Sequence, residues 1–181
     1  HAQSYGWLGW AANGAPAGTA GYAKRLEGIQ IVVVKKGAGF NRNMQGIASQ
    51  FANAFYAAPG QSMNPQIAGA DSPNVTYRTH VQSYGWQGWK YNGAASGTRG
   101  EGKRLEAIRI QLTGQLAQYY DVYYRVHAQT YGWLGWAKNG SIAGTSGLAK
   151  RLEAIQIVII PKGEHAPNPL PAAPGAAAYV H

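Results

Sequence analysis

The sequence predicts an all-β fold of three repeats set about a pseudo-threefold axis, a β-prism in first place and a β-trefoil as the alternative, with a short helical insertion in the first repeat. Three observations carry this. A block of 34 residues starting at His1 returns at His80 and His127, and 18 of its positions hold the same residue in all three copies. Each copy ends in a stretch such as Arg25-Leu26-Glu27-Gly28-Ile29-Gln30-Ile31, where Ile29 and Ile31 share one face and Gln30 takes the other, the period of a strand. Each also carries an Asn-Gly pair, the residues a tight I′ hairpin turn selects because both tolerate positive φ. Units this small cannot bury a face alone, whereas three about an axis share one core and leave few open edges.

Composition narrows the chemistry. The chain has 181 residues, no Cys, 25 Gly, 6 Trp and 12 Tyr, which excludes disulfides, Cys-ligated metal and cysteine nucleophiles. Only 13% of residues are charged and 12% are aromatic, so a packed core is expected rather than disorder. The apolar runs Ile31–Val34 and Ile157–Ile160 are far short of the roughly 20 residues of a membrane-spanning helix. Without an initiator Met or a basic-then-apolar leader, the chain reads as a mature form, an excised fragment or an incompletely known sequence.

In chain order, residues 1–37 form the first repeat, 73–121 the second and 122–160 the third. The spacing from block to block is 79 and then 47 residues, so the first repeat carries an insertion at 38–72. There Met44, Ile47, Phe51 and Phe55 fall on one face of a helix expected to pack on the β core. Before the second and third blocks stand Val75-Thr76-Tyr77-Arg78-Thr79 and Val122-Tyr123-Tyr124-Arg125-Val126, β-branched and aromatic stretches that read as strands. The first block has none in this sequence. Residues 161–175, rich in Pro and Ala, read as an extended tether. It delivers residues 176–181, whose Ala178-Tyr179-Val180-His181 echoes the end of that strand. The expectation is that Tyr179, Val180 and His181 fill the place before His1, in the same chain or in a neighbour.

The blocks resemble ChW repeats, the clostridial hydrophobic repeats named for their tryptophan. The resemblance rests on Gly-Trp-x-Gly-Trp at Trp7 and Trp10, Trp86 and Trp89, Trp133 and Trp136, on the Gly-Thr-x-Gly segment, and on Lys-Arg-Leu-Glu-x-Ile-x-Ile. Ser96 and Gly28 depart from it, each small for small. The resemblance implies an extracellular bacterial module with a role in surface attachment or glycan binding.

For function, the Trp pairs come first. A sugar's C–H face packs on an aromatic ring while amides and hydroxyls meet its hydroxyl groups. Trp10, Trp89 and Trp136, with Asn13, Asn92 and Asn139 and with Thr19, Thr98 and Thr145, are therefore the candidate ligand residues. Trp7, Trp86 and Trp133 are assigned to the core, because residues three apart on a regular strand point to opposite faces. All six in the core is the competing reading. Where the glycine allows a bend, that parity fails.

Arg25 with Glu27, Arg104 with Glu106 and Arg151 with Glu153 stand two apart on a strand and read as partly buried ion pairs. A hydrolytic pair of carboxylates would need two acids close together, and no motif supplies one. His1, His80 and His127 lack the spacing of a zinc site, so no metal, no cofactor and no catalytic residue is assigned. The net charge of +9 favours an anionic cell-wall polymer or glycan. Nucleic acid would call for basic residues clustered on one element, and is not expected. The expectation is a non-catalytic extracellular binding module. The rival is a self-assembling subunit joined by terminal strand exchange with other copies of itself.

Overall fold

The third repeat shows the unit most fully. Its leading strand, Tyr120–Ala128, pairs antiparallel with a long strand, Leu152–Pro161, from His127 opposite Ala154 to Tyr120 opposite Pro161. The other edge of the leading strand carries a Trp arm in two short pieces, Gly132–Trp133 and Ala137–Lys138. The second repeat is built alike: Val75–Val81 lies between Leu105–Leu112 on one side and Gly85–Trp86 with Lys90–Tyr91 on the other. This is the computed structural model of the chain, and it describes residues 1–12, 14–34, 74–164 and 177–181. The insertion helix with Met44, Ile47, Phe51 and Phe55, most of the tether, and Asn13 lie outside the described residues.

The Gly-Thr segments link the repeats in a cycle. Ser96–Gly97 of the second repeat pairs with Gly28–Ile29 of the first, and Ala143–Thr145 of the third pairs with the long strand of the second. Ala17–Gly18 of the first then pairs with the long strand of the third, so the last link returns to the beginning. The Asn-Gly turns follow the same circuit. Gly93 N donates to Ile31 O, Gly140 N to Ile110 O and Gly14 N to Ile157 O, at 2.7 to 2.9 Å.

Glycine is required at each link. A Cβ on Gly18, Gly97 or Gly144 would stand 2.3 to 2.4 Å from the carbonyl oxygen of Glu153, Glu27 or Glu106, and φ there is +123°, +110° and +128°. No L side chain fits such an approach. Inside the cycle, Leu26, Ile29 and Ile31 of the first repeat, Leu105, Ile108 and Ile110 of the second and Leu152 and Ile155 of the third belong to a single buried cluster. The repeats share one interior rather than lying apart as beads.

One feature is additional to the expectation and one differs from it. Helix among the described residues is one turn, Leu116–Tyr119, carrying the chain from the second repeat to the third. The tail settles elsewhere than before His1: Tyr179–Val180 runs parallel to Ala143–Thr145, with Gly144 opposite Tyr179. The outer edge of that strand offers main-chain donors. Gly144 N donates to Ala178 O at 2.9 Å and Ser146 N to Val180 O at 3.0 Å, while the nearby Gly135 N reaches Ala177 O at 3.0 Å. His181 stacks on Tyr179 at 5.5 Å.

Candidate functional site

In the second and third repeats the two Trp of a pair flank one arginine, not opposite faces of a strand. The Arg78 guanidinium carbon lies 5.0 Å from the Trp86 ring and 4.7 Å from the Trp89 ring. Arg125 lies 5.0 Å from Trp133 and 4.9 Å from Trp136. A register shift explains it. Along the second repeat's Trp arm, Trp86 faces His80 but Lys90 faces Tyr77, so four steps on the arm match three on the leading strand. The third repeat repeats the shift between Trp133 opposite His127 and Ala137 opposite Tyr124. Each extra residue is a β-bulge at the Gly-Trp step opposite the arginine, and it re-aims the second Trp. The expected division into core and ligand-facing Trp therefore fails in these repeats. Trp7 is buried and the other five are half-buried.

Arg125 is 2% exposed, and its Nε donates to Gln156 Oε1 at 2.6 Å. Burial lowers its pKa from the ordinary guanidinium value. A desolvated cation between two indoles gains on the order of 2 kcal/mol per face, which holds the arm to the strand.

Behind the first Trp of each pair runs a second chain of contacts. His1, His80 and His127 meet Trp7, Trp86 and Trp133 edge-on at 5.5, 5.4 and 5.5 Å. Their Nδ1 atoms lie 3.2, 3.1 and 3.1 Å from Glu27, Glu106 and Glu153. Those carboxylates take Arg25, Arg104 and Arg151 at 2.8, 2.7 and 2.9 Å. Strand alternation puts Arg and Glu on one face, and the repeat's first residue closes the set. Burial lowers the His1 pKa against the pull of Glu27. Among the described residues no three His, Asp or Glu gather as metal ligands, and no helix is long and apolar enough to cross a membrane.

Four of the candidate asparagines and threonines serve the backbone, whereas Thr98 Oγ1 is buried with no hydrogen-bond partner among the described residues. Asn92 Oδ1 accepts from Asn74 N and Val75 N at 3.1 and 3.2 Å, and Asn139 Oδ1 accepts from Val122 N at 2.9 Å. Both sit at positive φ, 38° and 44°, ahead of Gly93 and Gly140 at 88° and 85°, as a I′ turn demands. Asp121 receives Lys138 at 2.6 Å and Asn139 Nδ2 at 2.7 Å, and the Lys138 and Asn139 hydrogen bonds hold its carboxyl below the usual range. Thr19 and Thr145 donate to Lys24 O and Lys150 O, both at 3.1 Å.

Two tyrosine sets were missed by sequence reasoning. Tyr77 and Tyr124, in the leading strands, are fully buried, and burial pushes both up to about 12. The Tyr77 hydroxyl donates to Ala94 O at 2.5 Å and accepts from Ile31 N of the first repeat at 3.2 Å, while Tyr124 donates to Ser141 O. The recurring Tyr-Arg step was their signal. The other set is the Tyr that opens each Tyr-Gly-Trp: Tyr84 and Tyr131 are 54% and 44% exposed, and Tyr5 is half-buried.

Beside the Tyr5 and Tyr84 rings stands the lysine of Lys-Arg-Leu-Glu. Lys24 lies 5.9 Å from the Tyr5 ring and Lys103 5.6 Å from the Tyr84 ring. Lys24, Lys103 and Lys150 donate to the hydroxyls of Ser4, Ser83 and Thr130 at 3.4, 3.3 and 3.1 Å. A tyrosine ring, half-buried at Tyr5 and exposed at Tyr84, has a cation at its side in the first and second repeats, and in the third Lys150 is held at Thr130, next to the exposed Tyr131.

No curated protein and no solved structure matches the chain. The family model for the Clostridial hydrophobic W repeat matches three times, at residues 1–35, 80–114 and 127–161, each span opening on the histidine that meets the buried glutamate. With more than half of its length in those spans, the chain belongs to the ChW (Clostridial hydrophobic W) family.

Proposed function

We propose that the chain is a non-catalytic, extracellular binding module that attaches to glycan-bearing, anionic cell-wall polymer. Its ligand surfaces are the repeated Tyr and Lys faces rather than the Trp, Asn and Thr side chains. The observation that carries this is a tyrosine ring with an adjoining ammonium, the half-buried Tyr5 with Lys24 and the exposed Tyr84 with Lys103, together with the exposed Tyr131 of the third repeat, whose neighbour Thr130 holds Lys150. An exposed ring suits the apolar face of a sugar, and the lysine suits a phosphate or carboxylate. The net charge of +9 draws the polymer in. The cyclic strand pairing supports a pseudo-threefold, prism-like disposition of the repeats, in which three weak faces act together by avidity. Assembly by terminal strand exchange is the rival, and it would require Tyr179, Val180 and His181 to leave Ala143–Thr145.

The test is co-sedimentation with purified cell walls, intact and stripped of teichoic acid, at low and high salt. Changing Tyr5, Tyr84 and Tyr131 together to Ala should weaken binding roughly a hundredfold, and each single change several-fold less. Undiminished binding by a folded triple variant would rule the reading out.

A further inference from the structure

One rung of the second repeat carries a charge that the other repeats lack. Arg109 stands in the long strand where the third repeat has Gln156 and the first has Gln30. It lies directly opposite Arg78 of the leading strand, as Gln156 lies opposite Arg125. Opposed residues of an antiparallel pair share a face, with Cβ atoms about 5 Å apart, and like charges at such a rung repel. Two cations therefore meet where the third repeat sets a cation against an amide.

In the third repeat the rung is satisfied. Arg125 Nε donates to Gln156 Oε1 at 2.6 Å, and the Gln156 amide donates to Gly14 O at 2.9 Å. In the second repeat the Nε atoms of Arg78 and Arg109 are both buried with no hydrogen-bond partner among the described residues. Neither guanidinium has an ion-pair partner among those residues, and Glu106, on the same long strand as Arg109, is already held by Arg104 and His80. Indoles wall the pair: the Trp86 ring lies 5.0 Å from Arg78 and 5.4 Å from Arg109, and the Trp89 ring 4.7 Å from Arg78. An indole face stabilises a cation but supplies no acceptor in the plane of the guanidinium. Both arginines are half-buried rather than sealed, which leaves a small solute room to approach.

We propose that Arg78 and Arg109 bind one tetrahedral oxyanion of the phosphate class. Each planar guanidinium presents a fork of donors that fits two oxygens, and a tetrahedral group has oxygens enough to meet two forks at once. The anion takes the part that the Gln156 amide plays in the third repeat: it accepts from the arginine of the leading strand and removes the repulsion across the rung. Between indoles, where water is partly excluded, the attraction exceeds that at an exposed lysine. The phosphate is either the dissolved ion or a phosphodiester of a polymer. This site is separate from the Tyr5, Tyr84 and Tyr131 faces and stands whether or not they bind.

The experiment titrates the full chain with sodium phosphate and, separately, with a glycerol phosphodiester oligomer, at an ionic strength held constant with chloride, by calorimetry and tryptophan fluorescence. Arg109→Gln should weaken binding roughly tenfold or more. That variant reproduces the rung of the third repeat, so it should keep the native fold and match or exceed the native urea midpoint in chloride alone. Lys162→Gln removes the same charge from an exposed position and should leave the affinity nearly unchanged. Tighter binding of the oligomer identifies the ligand as a polymer phosphodiester, and tighter binding of phosphate identifies it as the dissolved ion. No binding, an equal loss in Arg109→Gln and Lys162→Gln, or an Arg109→Gln chain less stable than the native one in chloride overturns the proposal.

Discussion

The first and third repeats carry close to the same long-strand sequence, Gln30-Ile31-Val32-Val33-Val34 against Gln156-Ile157-Val158-Ile159-Ile160. Yet that strand spans ten residues in the third repeat and two in the first. The third is paired along its length by Tyr120–Ala128, while the first has only the rung made by His1 on that edge among the described residues. Strand propensity is equal, so the partner decides how far the strand extends. The links that close the cycle, by contrast, are alike in all three repeats.

That contrast can be broken most forcefully at the links. Gly18→Ala, Gly97→Ala and Gly144→Ala should each cost on the order of 3–5 kcal/mol, measured as a lower urea midpoint, because the added methyl meets a carbonyl oxygen. A mild effect at Gly18 alone would show that the first repeat is not fully locked into the cycle. Next, Tyr77→Phe should cost about 1–3 kcal/mol, since Ile31 N and Ala94 O both lose their shared partner.

The Trp pairs sharpen the comparison further. Trp136→Ala should cost about 1–2 kcal/mol more in the native chain than in an Arg125→Met background, the difference being the stacked arginine of the third repeat. Equal costs would mean that the indoles matter only as apolar bulk.

The smallest effect appears in alkali. Tyr77 and Tyr124 have folded pKa values of about 12 against an ordinary 10, so the folded state holds their protons longer than the unfolded state does. Their contribution is whole below pH 10 and is lost as the pH rises through about 12. Circular dichroism followed beside tyrosinate absorbance should show both changing together, and Tyr124→Phe should shift the transition upward.

Much of the architecture was legible. Triplication, the alternation of Ile29 and Ile31, and the Asn-Gly pairs report directly on shared core, strand and turn, because each is set by local backbone chemistry. The partner of the Trp pairs was not legible, since a bulge of one residue overturns the face assignment and leaves no mark beyond a glycine. The tail misled for a related reason: Tyr-Val-His resembles the end of a leading strand, but main-chain donors on Ala143–Thr145 accept any extended segment. The exposed tyrosines were hidden by their own invariance, which reads as packing until solvent exposure is known.

Ala17 and Gly18 find their partners at Ile155 and Ala154, in the last of the three repeats. A ribosome therefore releases the first repeat before the strand that pairs with it exists. Folding must wait for the last repeat, so acquisition of structure is late, slowed by distant contacts and close to all-or-none.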